Sequence, residues 1–279
     1  MVYSDKITFV IFTYNEEARI ERVIQNISGW ARILIIDNHS TDATREIAER
    51  LGAEVFLNKN NGWFEDYDTI QRIQNRVETP WLYWGFTDEL LDYETLSIII
   101  QAVESGKYKI VNIARKNYYY GRFCHNAYAD RLNRVFEKNA IDFRGNVIHG
   151  FGKAAVPEDK ILFLNSKKYF VKHFISNTAK QYLATIDRYT DIQAVTNKKC
   201  SGLNLVARIF KAFIMQYIFH GAYKAGKAGL FLVLQMMYYQ CILAMKTHER
   251  EHGLSFTGIE ELNNVERDAI LLQLKNKSV

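Results

Sequence analysis

The chain has 279 residues, 48% of them hydrophobic, and a formal net charge of +5. That content, with only two prolines, excludes a disordered or collagen-like chain and supplies a core for one large domain and an appendage. Cys124, Cys200 and Cys241 are widely spaced and odd in number, which argues against a metal-ligand spacing and for a reducing cytosol. The opening MVYSDK has no basic segment leading into an apolar one, so no secretory signal is expected.

Ile7 to Phe12 is an apolar run that predicts a strand, with Thr13-Tyr14-Asn15-Glu16-Glu17 as its loop. Ala18 to Ile27 carries apolar residues at Ile20, Val23, Ile24 and Ile27, the spacing of a helix with one buried face. Ile33 to Ile36 is apolar at every position, as in a parallel strand covered on both faces, and Asp37 follows at its carboxyl end. Ligands of open α/β sheets bind at that end. The Asp37 carboxylate can accept from a sugar hydroxyl or a base N–H; the other reading is a loop and capping role. Asp42 or Thr41 caps a helix over 43–51, Gly52 stops it, and Ala53 to Phe56 begins another strand. Two strand–loop–helix units in succession imply a right-handed parallel α/β sheet. Neither GxGxxG nor a P-loop pattern occurs, so a nucleotide would be held by loop side chains.

Trp81 to Phe86 predicts a further strand, Thr178 to Thr196 a helix, and 198–202 a linker. No acidic residue lies between Asp191 and Glu249, whereas Lys198, Lys199, Arg208, Lys211, Lys224, Lys227 and Lys246 are basic. The same stretch holds the apolar runs Ala212 to Tyr223 and Ala228 to Met245, the second interrupted by Gln235 and Gln240. A membrane span needs about 20 mainly apolar residues, so the second run is borderline. Basic flanks with Tyr217, Tyr223, Tyr238 and Tyr239 among them suit helices lying in a membrane interface. A buried hairpin, a dimer contact or a true span are the alternatives. The basic residues are diluted among large aliphatics, unlike a stacking platform, which argues against nucleic acid.

FTYNEEARIERVI, followed by ILIIDNHSTDATREIAERLGAEVF, resembles the start of an inverting family 2 glycosyltransferase with the GT-A fold. The likeness is strongest to the bacterial lipopolysaccharide-core β-glucosyltransferase branch. WLYWGFTDE (81–89) is similar to the strand carrying that family's metal element, an Asp-x-Asp. YYGR (119–122) and DRLNRVF (130–136) resemble a later stretch of the family, and NVIH (146–149) its "vHE" stretch. His173 and residues 182–194 resemble the helix after the catalytic domain, and the tail at 226–245 also has a counterpart. The resemblance covers roughly residues 5–250.

The resemblance implies an α/β, Rossmann-like nucleotide-diphospho-sugar transferase domain over 1–170 and a helical, membrane-associating region over 171–279. It implies transfer of a hexose from a nucleotide-sugar donor, with inversion, to a saccharide or lipid-linked acceptor in bacterial cell-surface glycan synthesis. The protein would be cytoplasmic, peripheral at the inner face of the cytoplasmic membrane, with a homodimer as an option. A non-catalytic nucleotide-sugar-binding relative, or a transferase onto a peptide or polyprenyl phosphate, are the rival readings. Thr13, Tyr14, Asn15, Glu16, Asp37, Ser40, Trp63, Arg72, Thr87 and Arg122 fall at the donor. Trp63 is otherwise a core anchor. Asp88 would bind a divalent cation, Mn or Mg, while Phe86 stands where the family has the first Asp of its pair. Asp92 reads as a helix cap. Gly150 replaces the Glu expected after His149, so His149 is the candidate general base, with Asp130 and Asp142 as alternatives. Arg134 matches the family's RLF arginine; with Arg122 and Arg131 it could pair with the diphosphate or an anionic acceptor.

Overall fold

The structure, a computed structural model, describes residues 3–60, 67–145, 151–195 and 202–277. The chain divides into two compact units, Met1–Ser176 and Asn177–Val279.

The first unit runs β1 (Ile7–Thr13), α1 (Ile20–Ile27), β2 (Arg32–Asp37), α2 (Thr44–Arg50), β3 (Glu54–Leu57), α3 (Tyr67–Arg76), β4 (Trp81–Phe86), β5 (Glu89–Leu90) and α4 (Tyr93–Glu104). It continues with β6 (Ile110–Tyr119), β7 (Arg122–Phe123), β8 (Asp130–Glu137), β9 (Ile141–Asp142), β10 (Lys153–Ala154), β11 (Ile161–Phe163) and β12 (Phe170–Ile175). The main sheet has the order β3-β2-β1-β4-β8-β6-β12-β5, with β7 and β11 also paired to β6; β9 and β10 form a separate ladder. From β3 to β4 the strands are parallel, as the two strand–loop–helix units imply. Beyond β4 the sheet is mixed, because β8 runs antiparallel to both β4 and β6. β12 pairs with β6 in parallel and belongs to this sheet, so the first unit extends past residue 170.

Alternation along the strands covers both faces of the sheet. Ile7, Phe9 and Ile11 of β1 pack with Ile20, Val23, Ile24 and Ile27 of α1 and with Leu96, Ile99 and Val103 of α4. Val10, Leu34, Ile36 and Leu82 pack on the other side with Ile70 and Ile73 of α3. Each such side chain stabilises by about 1.5–3 kcal/mol when fully buried, which fixes the register of the central strands and so the positions of their ends.

The second unit comprises α5 (Ala179–Ala194), α6 (Gly202–Phe213) leading into a π-helical turn at Ile214–Phe219, a 3-10 turn at Ala222–Ala225, α7 (Lys227–Glu251) and α8 (Phe256–Lys277). Thr178 and Gln181 form a capping box at the start of α5. α5 is held to α7 by the Tyr182 hydroxyl donating to the Gln235 carbonyl (2.8 Å) and by Lys246 bridging Asp187 and Asp191 (2.7 and 2.6 Å). Gly229 lets α7 approach the 3-10 turn: a Cβ there would lie 1.9 Å from the Ala222 carbonyl oxygen. The linker predicted at 198–202 lies largely outside the described residues.

Candidate functional site

The loops after β1 and β2 leave the sheet side by side, because β1 and β2 are parallel neighbours with Thr13 opposite Asp37. They are joined by hydrogen bonds in both directions. Asn15 N donates to Ser40 Oγ (2.9 Å), Glu16 N to Thr44 Oγ1 (2.7 Å) and Glu17 N to Asp42 (3.1 Å). Thr41 N donates to Asn15 Oδ1 (2.8 Å) and Ala43 N to Glu17 (3.1 Å). Asn15 and His39 adopt left-handed backbone conformations, with φ of 54° and 59°. Asn tolerates this region better than most residues, and here its side chain is used as a loop-to-loop acceptor. Tyr14 lies exposed in the same loop.

Asp37 is fully buried, and its carboxylate accepts from the Ser40 backbone N–H (2.9 Å) and the Ser40 hydroxyl. In this structure the Asp37 oxygens are turned to Ser40 and shape the loop at the strand end where the sequence places the donor. Thr13 Oγ1 at the end of β1 is buried without a hydrogen-bond partner.

β4 ends beside β1, and Thr87-Asp88 form the tight turn from β4 into β5. Asp88 Oδ2 lies 3.2 Å from His173 Nε2, and the Asp88 carbonyl accepts from Phe174 N (2.7 Å). His173 is thus on a sheet strand, β12, and not on the helix the resemblance assigns it to. Its Nδ1 lies 2.8 Å from Asn117 Oδ1. Asn117 Nδ2 donates to the carbonyls of Ala127 (3.0 Å) and Tyr128 (3.1 Å), so its oxygen is the atom turned to His173. Nδ1 therefore donates to Asn117, and Nε2 is the nitrogen presented to Asp88. Burial pushes the Asp88 carboxyl up, but the His173 hydrogen bond and charge, then Arg19 and Arg115, outweigh it and hold it below the usual carboxylate value.

Behind this turn lies a buried ion pair. Arg134 is fully buried; its guanidinium donates to both oxygens of Glu89 (2.5 and 2.7 Å) and to the Trp84 carbonyl (3.1 Å). Glu89 also accepts from Phe86 N (3.2 Å) and has Arg115 3.5 Å away. The Phe86 and Phe151 rings lie over the guanidinium at 5.8 and 5.2 Å. Phe86 therefore helps to cover this pair. The expectation that Arg134 meets the diphosphate is corrected: it has no exposed surface and is spent on Glu89.

Asp130 pairs with Arg115 at 2.5 Å. Asp142 is clasped by Arg144, whose hydrogen bonds lower its carboxyl to about 2. Arg131 is committed to Asn112 Oδ1 (2.9 Å) and the Leu164 carbonyl (2.8 Å). Arg72 is exposed on α3 and donates to Thr69 (3.2 Å); Arg122 is exposed on β7. Trp63 and His149 lie outside the described residues. The structure thus brings Thr13, Asn15, Glu16, Ser40, Thr87 and Asp88 to one end of the sheet. It adds His173, Asn117, Glu89 and Arg115, to which the sequence reading gives no role. The one available signal was His173 itself, an ionisable residue in the otherwise strand-like FVKHFI.

The model of the family described as Glycosyl transferase family 2 matches residues 8–155. An uncharacterized glycosyltransferase of Rickettsia bellii is 26% identical over 235 residues, covering 77% of this chain and 78% of that protein. Among solved structures, mannosyltransferase PcManGT of Pyrobaculum calidifontis in complex with GDP-Man and Mn2+ is similar at a TM-score of 0.48 and 13% identity, over 91% of this chain and 89% of that one. S. aureus TarS 1–349 in complex with UDP-GlcNAc is similar at 0.46 and 13%, over 90% and 93%.

Proposed function

The chain belongs to glycosyl transferase family 2, and from that premise we propose that it moves a hexose from a nucleoside-diphosphate sugar, with inversion, onto a saccharide or lipid-linked acceptor. A bacterial surface glycan is the proposed product, lipopolysaccharide first; the ordered series of motif matches supports this. The observation that carries the reading is the Asp88–His173 pair beside the joined loops after β1 and β2. A carboxylate oxygen and an imidazole nitrogen 3.2 Å apart suit Mn2+ better than Mg2+, which takes oxygen ligands almost alone. Among the described residues no group of three or more His, Cys, Asp or Glu is placed to hold a metal, so phosphate oxygens and water would complete the shell. When bound, the cation neutralises charge on the departing diphosphate.

Tyr14, Asn15 and Glu16, with Thr13, Ser40 and Thr87, would frame the donor. Trp63, Arg72 and Arg122 are assigned to it on the motif matches alone. The acceptor hydroxyl passes its proton to a base as its oxygen attacks the anomeric carbon. The bond from that carbon to the diphosphate oxygen breaks on the opposite face, and the nucleoside diphosphate leaves with the electron pair. His149 is the proposed base, with Asp130 and Asp142 as the alternatives. Scanning fluorimetry across UDP- and GDP-sugars, with and without Mn2+, tests the reading, because a ligand of the folded state raises Tm. One donor should raise Tm in a cation-dependent way, and Asp88→Asn should lose the cation-dependent part. No shift with any donor overturns the reading; binding without turnover on any acceptor favours the non-catalytic relative.

The second unit supports a peripheral membrane role. Val206, Phe210, Ile218, Phe219 and Tyr223 are exposed among Arg208, Lys211, Lys224 and Lys227. α7 is long and apolar enough to cross a membrane by length and composition. Exposed aromatics interleaved with basic residues favour the interface of an anionic leaflet over a span.

A further inference from the structure

The leaving diphosphate needs a cationic side chain as well as a divalent ion, and the arginines with a sequence-based claim to it are largely spent elsewhere. Arg134 is sealed against Glu89 and Arg131 holds Asn112 and Leu164, while Arg122 lies exposed on β7. Among the described residues two guanidinia with accessible surface neighbour the Asp88 turn, that of Arg115, 27% exposed, and that of Arg19, 32% exposed; Arg115 bridges Asp130 and Glu89 on two strands, whereas Arg19 has a local partner alone. It caps the start of α1, in the loop that leaves β1. β1 and β4 are parallel neighbours, with Phe12 opposite Phe86, so the loop that carries Arg19 leaves the sheet beside the turn that carries Asp88.

In the present structure Arg19 is clasped by Glu16, through Nε and Nη2 each 2.5 Å from a carboxylate oxygen. The pair lies within a single loop and joins no separate elements, unlike Glu89 and Arg134. The loop itself is pinned by its backbone, through Glu16 N to Thr44 and Asn15 N to Ser40. A local, partly exposed ion pair of this kind contributes little to stability, so the guanidinium is free to change partners. Phosphate offers the same two-oxygen geometry as the carboxylate and more negative charge.

We propose that Arg19 is the side chain that binds the donor's diphosphate, exchanging Glu16 for it. The inference rests on the donor-site reading given above. The exchange unmasks both groups together: Arg19 turns to the phosphates, and the Glu16 carboxylate becomes able to accept from a donor hydroxyl or N–H. The diphosphate then lies between Arg19 and a cation at Asp88, and the charge that a divalent ion leaves uncompensated falls to Arg19.

Calorimetric titration of the full chain with UMP, UDP, GMP and GDP in the presence of Mn2+ tests this. The parent should bind one diphosphate more tightly than its monophosphate. Arg19→Ala should weaken that diphosphate about ten- to a hundredfold and leave the monophosphate nearly unchanged, with Arg19→Lys between the two. Equal diphosphate affinity in Arg19→Ala and the parent overturns the proposal while leaving the donor site standing. An equal loss of diphosphate and monophosphate in Arg19→Ala also overturns it, since Arg19 would then hold the loop and not the phosphates. If the parent binds neither diphosphate, the donor-site reading fails first and the proposal with it.

Discussion

Arg134 and Asp88 sit on either side of one turn, and their environments are opposite. Arg134 is a buried charge with a buried partner, and removing one member of such a pair costs about 3–5 kcal/mol. Arg134→Ala should therefore lower unfolding free energy by roughly that amount, read from urea denaturation. Unchanged stability with weakened donor binding would return Arg134 to the diphosphate. In a single sequence an arginine reads as a solvent-facing group unless its partner is known, and Glu89 lies 45 residues away in the chain. The position of Asp88 just past an apolar strand was legible for the contrary reason: the run WLYWGF marks the strand, and the motif that follows it sets Asp88 in the turn. Its companion His173 was not, because 85 residues separate the two and nothing local links them. Asp37 was located correctly on its strand end, yet the choice between ligand and loop role turned on the orientation of its carboxylate toward Ser40.

The elements that carry a long apolar pattern were readable. α1 buries Ile20, Val23, Ile24 and Ile27, the four positions its spacing marks, and β4 spans the predicted Trp81 to Phe86. The two-residue strands β5, β7, β9 and β10 were not readable, since two residues carry no periodicity. Nor was the antiparallel insertion of β8 between β4 and β6, which depends on partners distant in the chain. Asp92 behaves as its position before a helix predicts: its side chain accepts from Thr95 N at 2.9 Å and from Lys172 at 2.9 Å. Burial raises its carboxyl, but the Thr95 and Lys172 interactions outweigh this and hold the folded value below the ordinary one. Protonation therefore favours the unfolded chain. The Asp92 contribution is complete above about pH 4 and is lost as pH falls through the depressed folded value. Asp92→Ala should cost about 1 kcal/mol near neutrality, and the fall of Tm with acid should be shallower than in the parent. An unchanged acid limb would show that Asp92 contributes nothing through its charge.

For the whole molecule, the asymmetry of charge separates the two units. Seven basic residues and no acidic one lie between Asp191 and Glu249, and each basic residue near an anionic bilayer is worth about 1 kcal/mol. The full chain should float with vesicles containing phosphatidylglycerol and release as salt rises. Equal flotation with neutral vesicles at high salt would mean insertion, and none at all would favour a buried hairpin or a dimer contact. The placement of β12 has a different consequence, one of timing. Because it lies between β6 and β5, the sheet stays interrupted during synthesis until residue 175 has left the ribosome. Until then β6 presents an open edge, the kind of surface that pairs with other chains. A chain ending at residue 176 should melt cooperatively, whereas one ending at residue 169 should aggregate on release, its β4–β5 turn waiting for a strand that never arrives.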